Sequence, residues 1–233
     1  MAIVFYDLKG RDGLRFSPFG WRVRYALAHK GLAHEDVGVG FNEKDKVAFS
    51  GQPLVPVLVD KSKGDRVVFD SMQIAQYLDE AYPENPLFGS PQAWSLSRFV
   101  NNWVGTVMFP GIVGQIMADL HARVRDVDQP YFRESREKRF GRTLEQIQDG
   151  RDQRLPAFRS SLDPLRILVR QQPFVCGATP GYADYIVFGA FQWAAIGGDR
   201  ELLEPDDAVA VWRARMLDLY DGLGRRAVRG PQD

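Results

Sequence analysis

Apolar residues in the first third of the chain come in short bursts separated by polar turns. Ile3 to Tyr6 is a compact apolar run of strand type. A polar loop with Gly10 and Gly13 follows. Ser17-Pro18 then opens a helix, with Ser as N-cap and Pro at the first helical position. Val23, Ala26, Leu27 and Lys30 keep helical spacing, and Gly31 ends the helix. Val37 to Phe41 predicts a second strand. Val55 to Val59 and Arg66 to Phe69 predict two more, joined by the turn Lys61-Ser62-Lys63-Gly64. Asp70 and Ser71 cap a further helix whose face is Ile74, Tyr77, Leu78 and Ala81, spaced i, i+3, i+4, i+7. A βαβ unit followed by a hairpin and a helix is an α/β pattern.

The pattern changes after residue 88. Tyr82 to Pro91 carries three prolines together with Asn85, Gly89 and Ser90, which reads as a linker between domains. Beyond it the periodicity is helical throughout. Leu96, Phe99, Val100, Trp103 and Val107 form one stripe, and Pro110 ends or kinks that helix. Further helices are predicted over 132–149, 155–171, 182–195 and 208–223. The expected organisation is an α/β domain over 1–88 and an all-helical domain over 92–228.

Composition removes several function classes. Hydrophobic residues make up 45% and charged residues 26% of the 233, an ordinary globular balance. Lys+Arg and Asp+Glu each number 30, so no basic excess advertises nucleic acid or an anionic membrane surface. The basic residues from Arg133 to Arg142 alternate with Glu134, Glu137 and Glu145, and read as a solvated helix face. The single cysteine, Cys176, excludes an internal disulfide and a cysteine zinc cluster, and reads as a core residue. The start of the chain lacks a basic segment followed by an apolar one, and no run approaches 18 apolar residues. The chain is therefore expected to be cytoplasmic. His29, His34 and His121 form no ligand pair at helical spacing, and the phosphate-loop, dinucleotide, zinc-protease and serine-elbow motifs are absent, so no metal site is expected.

Three local features carry candidate chemistry, and each admits two readings. Ser17 at a helix start is an N-cap; equally, its hydroxyl beside free helix N–H groups can donate to an anion. Val55-Pro56 inside a strand-like run is an edge or strand start; equally, a cis proline frees the Val55 backbone to pair with a peptide-like ligand. Asp70-Ser71 at a strand-to-helix junction is a capping pair; equally, it presents a carboxylate and a hydroxyl to an amino-acid head group.

In this order and spacing, the three features resemble the glutathione site of the glutathione transferase family, and the linker and helical second half extend the resemblance over nearly the whole chain. The resemblance implies a thioredoxin-like α/β N-terminal domain and an all-α C-terminal domain. It implies that glutathione binds as co-substrate, with its thiol at Ser17, its cysteinyl backbone on Val55 before a cis Pro56, and its γ-glutamyl group on Asp70 and Ser71. Ser17 to Arg22, Tyr77 to Pro83, Leu144 to Pro156 and Asp218 to Gly224 are similar to the branch that holds bacterial lignin β-etherases and related fungal transferases. A homodimer is implied as well.

The implied activity is attack of a glutathione thiolate on a hydrophobic or aromatic electrophile, with cleavage of a β-aryl ether as one form. Related thiol-disulfide classes carry Cys where this chain has Ser17, and a serine cannot form the mixed disulfide. The alternative is a ligandin-like carrier of aromatic compounds; a purely structural role is disfavoured by the intact site set. Two departures from the family stand out. Gly181 replaces the Ser or Thr three residues before Asp184 that usually caps a late helix, and apolar Leu54 precedes Val55-Pro56. Lys44 and Lys46 are candidates for the glycyl carboxylate, and Arg11 or Arg15 for an alternative contact to sulfur. Phe19, Trp21, Trp103, Val107 and Met108 are candidates for a second pocket, though each also fits core packing; Trp193 and Trp212 read as core.

Overall fold

A computed structural model describes residues 2–227. Residue 228, the expected end of the helical domain, lies outside the described residues. The first part is a four-stranded sheet in the order β2-β1-β3-β4. It comprises β1 (Ile3–Leu8), β2 (His34–Val39), β3 (Val57–Asp60) and β4 (Arg66–Phe69), with helices α1 (Pro18–His29) and α2 (Ser71–Ala81). β2 runs parallel to β1, as a helical crossover requires, while β3 and β4 return antiparallel. Ile3, Phe5, Leu58 and Val68 meet Val23, Ala26 and Leu27 of α1 and Ile74, Ala75 and Leu78 of α2 in the main core. On the other face Val39 and Val57 pack with Val47 from the 3₁₀ segment Lys44–Ser50.

Several strand limits differ from those expected: β1 runs on past Tyr6 to Leu8, β2 stops at Val39 short of Phe41, β3 runs one residue past Val59, and two strands start elsewhere. β2 begins at His34 rather than Val37, because pairing along the whole of β1 recruits polar residues that periodicity alone passes over. One of them, Asp36, is held by Arg24 (2.5 Å) and Arg15 (3.5 Å). β3 begins at Val57, since Val55-Pro56 lies just before it as a cis peptide, the expected isomer.

The segment after α2 is tied down. Lys30, buried at the end of α1, donates to the carbonyls of Tyr82 (2.8 Å) and Glu84 (3.1 Å) and pairs with Asp79 (2.5 Å). Asp79 also accepts from the Leu87 (2.7 Å) and Phe88 (3.0 Å) amides. Helices α3 (Pro91–Trp103) and α4 (Phe109–Arg123) follow, joined by a π-helical turn over Val104–Met108. The reason lies at Pro110. It has no N–H and its ring crowds the carbonyl four residues earlier, so the register opens just upstream, with the Phe109 amide bonding to the Val104 carbonyl. The expected kink is thus a wider turn in one continuous helix, Pro91–Arg123. By length and composition that helix is apolar enough to cross a membrane; here Val100, Val104, Met108, Ile112 and Ile116 are buried in the domain core.

The expected helix over 132–149 is two helices, α5 (Gln129–Phe140) and α6 (Leu144–Gln148), separated at Gly141 with φ of 66°. Thr143 and Gln146 then exchange bonds to cap α6. Likewise 155–171 divides into α7 (Arg151–Ser161) and α8 (Asp163–Gln171), where Pro164 starts a new helix. Helix α10 spans Ala208–Gly222 and leaves helical geometry at Leu219–Asp221.

Helix α9 (Tyr182–Gly197) is apolar nearly all round because it lies at the centre, against α1, α3, α4 and α10. Its start solves the capping departure at Gly181. Buried Asp184 accepts from the amides of Gly181 (3.1 Å), Val175 (2.7 Å) and Cys176 (3.1 Å) and from Trp212 Nε1 (3.0 Å). One carboxylate therefore joins the loop before α9, α9 itself and α10. Asp184→Ala orphans four donors, three of them backbone, and should lower unfolding free energy by about 3–5 kcal/mol, with Asp184→Asn losing less. Urea unfolding followed by tryptophan fluorescence measures both.

Candidate functional site

A cavity of about 510 Å³ opens between the N-terminus of α1, the 39–55 loop region, α4, α5 and Trp193 of α9. Ser17 and Val55 line it; Pro56 is buried behind Val55, and Asp70 and Ser71 are not among its lining residues. Ser17 is only 4% exposed. Its Oγ accepts from the Gly20 amide at 3.1 Å, so it is the N-cap of α1. Accepting uses a lone pair and leaves the hydroxyl proton, which has no acceptor among the described residues. Capping and donating are therefore compatible in one side chain. Val55 makes no backbone hydrogen bond among the described residues, so its N–H and C=O remain available.

Asp70 and Ser71 sit at the start of α2. Asp70 caps the helix, accepting from Met72 (2.8 Å) and Gln73 (3.2 Å). Its φ of 67° is a left-handed value that costs a non-glycine residue energy and is concentrated at functional sites. The Ser71 carbonyl accepts from the Tyr182 hydroxyl, which fixes α2 to α9. The Ser71 hydroxyl is buried and has no hydrogen-bond partner among the described residues.

Beside this junction lies a group the sequence reading did not assign. Arg22 is 1% exposed, and its Nη1 donates to Asn101 Oδ1 at 2.8 Å, while Nε and Nη2 have no partner among the described residues. Burial pulls its pKa down to about 10, against the partial support of Tyr182 and Asp70. Its guanidinium stacks on Phe19, 4.7 Å from the ring centroid. The only signal in sequence was its place in the Ser17 to Arg22 segment.

The cavity wall is aromatic and basic. Phe19 meets Phe109 edge-on at 5.7 Å, and Phe109 meets Trp193 at 5.4 Å. Across from them Phe41 contacts Phe132 at 5.6 Å and Tyr131 at 6.2 Å. Among the expected second-pocket residues Phe19 lines the cavity; Trp21, Trp103, Val107 and Met108 do not. Trp21 is buried and donates to the Arg15 carbonyl at 2.7 Å, and Met108 is fully buried. Trp193, read as core, is half-buried and lines the cavity, whereas Trp212 is core as expected. Lys44 lines the cavity and donates to the Tyr131 hydroxyl at 3.1 Å. Lys46 instead pairs with Glu43 at 3.1 Å. Glu43 also takes Arg125 (3.0 Å) and the Gly40 amide (2.8 Å); burial pushes its pKa up, but these donors outweigh it and hold it at about 2.

Neither alternative arginine faces the site. Arg11 pairs with Asp126 and Arg15 with Asp36, and neither lines the cavity. Burial, with Asp184 nearby, pushes the Cys176 thiol up to about 12, so it stays protonated as a structural residue does. No group of three metal-ligating side chains occurs among the described residues.

Both halves of the fold have counterparts among known proteins. Residues 16–81 match the family model of the glutathione S-transferase N-terminal domain, and residues 95–214 that of the glutathione S-transferase C-terminal domain. Glutathione S-transferase omega-1 of Mus musculus is 28% identical over 211 residues, 87% of this chain and 74% of that protein. A glutathione S-transferase of Ceriporiopsis subvermispora, solved in complex with glutathione, is 23% identical and superposes with a TM-score of 0.79 over 100% of both chains. A glutathione transferase of Phanerochaete chrysosporium superposes with a TM-score of 0.77 at 24% identity, covering 95% of this chain and 92% of its own. With both halves of the fold matched in order, the chain belongs to the glutathione S-transferase family.

Proposed function

We propose that this glutathione-dependent transferase holds the thiol of its co-substrate at Ser17, facing the aromatic cavity. The observation that carries this reading is the hydroxyl of Ser17: its oxygen caps α1, its proton is unused, and the residue lines the cavity. The cradle fits the rest of a tripeptide. The unpaired Ser71 hydroxyl at the α2 N-terminus suits the γ-glutamyl α-carboxylate, and Asp70 suits its ammonium group. Val55 offers both backbone groups to the cysteinyl unit, and Lys44, not the Glu43-paired Lys46, suits the glycyl carboxylate. Arg22, with no carboxylate partner among the described residues, adds positive potential beside Asp70.

Bound glutathione supplies a thiolate nucleophile. A free cysteine thiol has a pKa of about 8.5, so only a few per cent is ionised near neutrality. Lowering it by about two units takes about 2.7 kcal/mol of differential stabilisation. A charge-assisted bond from Ser17 and the partial positive charge at the start of α1 are of that size together. Electrophiles are hydrophobic or aromatic compounds with a leaving group. Cleavage of a β-aryl ether, releasing a phenolate, is the form suggested by the etherase-like segments. The protein acts in the cytoplasm as a homodimer, for which the exposed Phe49 and Phe99 are available surface.

Four measurements test this. Ser71→Ala removes a hydroxyl that has no partner among the described residues, so stability should hold while the KM for glutathione rises about tenfold. Ser17→Ala should cost about 1 kcal/mol of stability through the lost cap and reduce kcat by about 10–100-fold. Ser17→Asp keeps the cap but sets a negative charge beside the sulfur; it should be stable and slow, and wild-type turnover would assign activation to the helix terminus alone. Light scattering should give twice the 26.4 kDa chain mass, and a monomer at micromolar concentration contradicts the dimer.

A further inference from the structure

In sequence the basic stretch from Arg133 to Arg142 reads as a solvated face. The structure divides it. Arg133 is spent on Glu137 (2.9 Å) and Glu145 (2.8 Å). Arg136 and Arg139, on the same side of α5, line the cavity instead. Neither has a carboxylate partner among the described residues. Arg136 is half-buried, with its guanidinium 4.6 Å from the Phe132 ring centroid and 5.1 Å from that of Phe41, and among the described residues its one side-chain hydrogen bond goes to Ser135 Oγ at 2.9 Å. No Asp or Glu is among the cavity's lining residues.

A half-buried guanidinium on an apolar wall without a counter-charge, with a second one beside it, is unfavourable by itself. Burial lowers the pKa of Arg136, and the like charge of Arg139 adds to the effect. Both groups belong to the helical domain, beside the aromatic wall, whereas the glutathione contacts proposed above lie in the α/β domain. We propose that Arg136 and Arg139 are specificity residues for the second substrate, and that this substrate is an aromatic electrophile bearing an anionic group such as a carboxylate. The inference rests on the transferase reading of the same cavity. The ring lies among Phe41, Phe132 and Phe140, and the anion meets the arginine fork, whose planar donors match a carboxylate.

The test uses a matched pair, a chlorodinitrobenzoate with chlorine para to its carboxylate and the corresponding carboxamide. In conjugation the thiolate sulfur bonds to the chlorine-bearing carbon, and chloride leaves with the electron pair of the broken bond. Each rate is divided by the uncatalysed rate with glutathione alone. The wild type should show a KM for the carboxylate about tenfold or more below that for the carboxamide. Arg136→Gln should bring the ratio close to one, and Arg139→Gln should reduce it. Arg139 is exposed, so its variant carries the test if loss of Arg136 stacking unfolds the protein. A wild-type ratio near one, or a ratio unmoved in both variants, overturns the inference while leaving the transferase intact. So does a rise in glutathione KM with the ratio unchanged, which assigns the arginines to glutathione. If neither compound is conjugated, calorimetry decides the inference: tighter, arginine-dependent binding of the carboxylate supports it, and equal binding of the pair overturns it.

Discussion

The contact on which the site depends is the approach of α9 to the first turn of α1. A Cβ at Gly189 would lie 2.4 Å from the Pro18 carbonyl oxygen, so only glycine lets the helices come this close. Pro18 follows Ser17, which means that the helical domain sets the position of the residue proposed to activate the thiol. Further along the same interface Tyr25 packs on Phe188, with ring centroids 4.6 Å apart, and donates to the Met216 carbonyl at 2.9 Å. Tyr182 holds α2 through the Ser71 carbonyl, and Trp193 reaches the cavity wall. One buried helix thus positions α1, α2 and part of the cavity wall, and Asp184 fixes where that helix begins.

This arrangement separates two chemistries. Near α2 lie an unpaired hydroxyl and a buried arginine with donors to spare, features that lower the stability of the protein alone and suit a charged peptide ligand. Towards α4 and α5 the wall is aromatic, which suits a desolvated electrophile. Ser17 stands where α1 begins, and the helix N–H groups and the hydroxyl act there on one small region. The π-helical turn before Pro110 belongs to the same wall, since Gly105 and Phe109 both line the cavity.

The α/β half was legible in sequence because its signals are local. Ser17-Pro18, Asp70-Ser71 and the strand-embedded Pro56 each announce a cap or a constrained bond within a few residues. The helical half was legible as helix but not as breaks: Gly141 and Pro164 divide runs whose apolar periodicity continues across them. The second pocket was hardest. Trp193 sits on a helix apolar nearly all round, so nothing local distinguishes a cavity wall from core. Arg136 and Arg133 have the same sequence surroundings, and only the fold gives one a carboxylate and leaves the other over Phe132. Arg22 looked like an ordinary helix residue until α3 and α9 enclosed it.

The account predicts that the protein itself makes glutathione a better nucleophile, through the start of α1. The most direct test is a pH titration of the enzyme–glutathione complex followed by the ultraviolet absorbance of the thiolate. A midpoint about two units below that of the free thiol, shifted back towards it in Ser17→Ala, is the predicted result. A midpoint equal to that of free glutathione in the wild type contradicts the account.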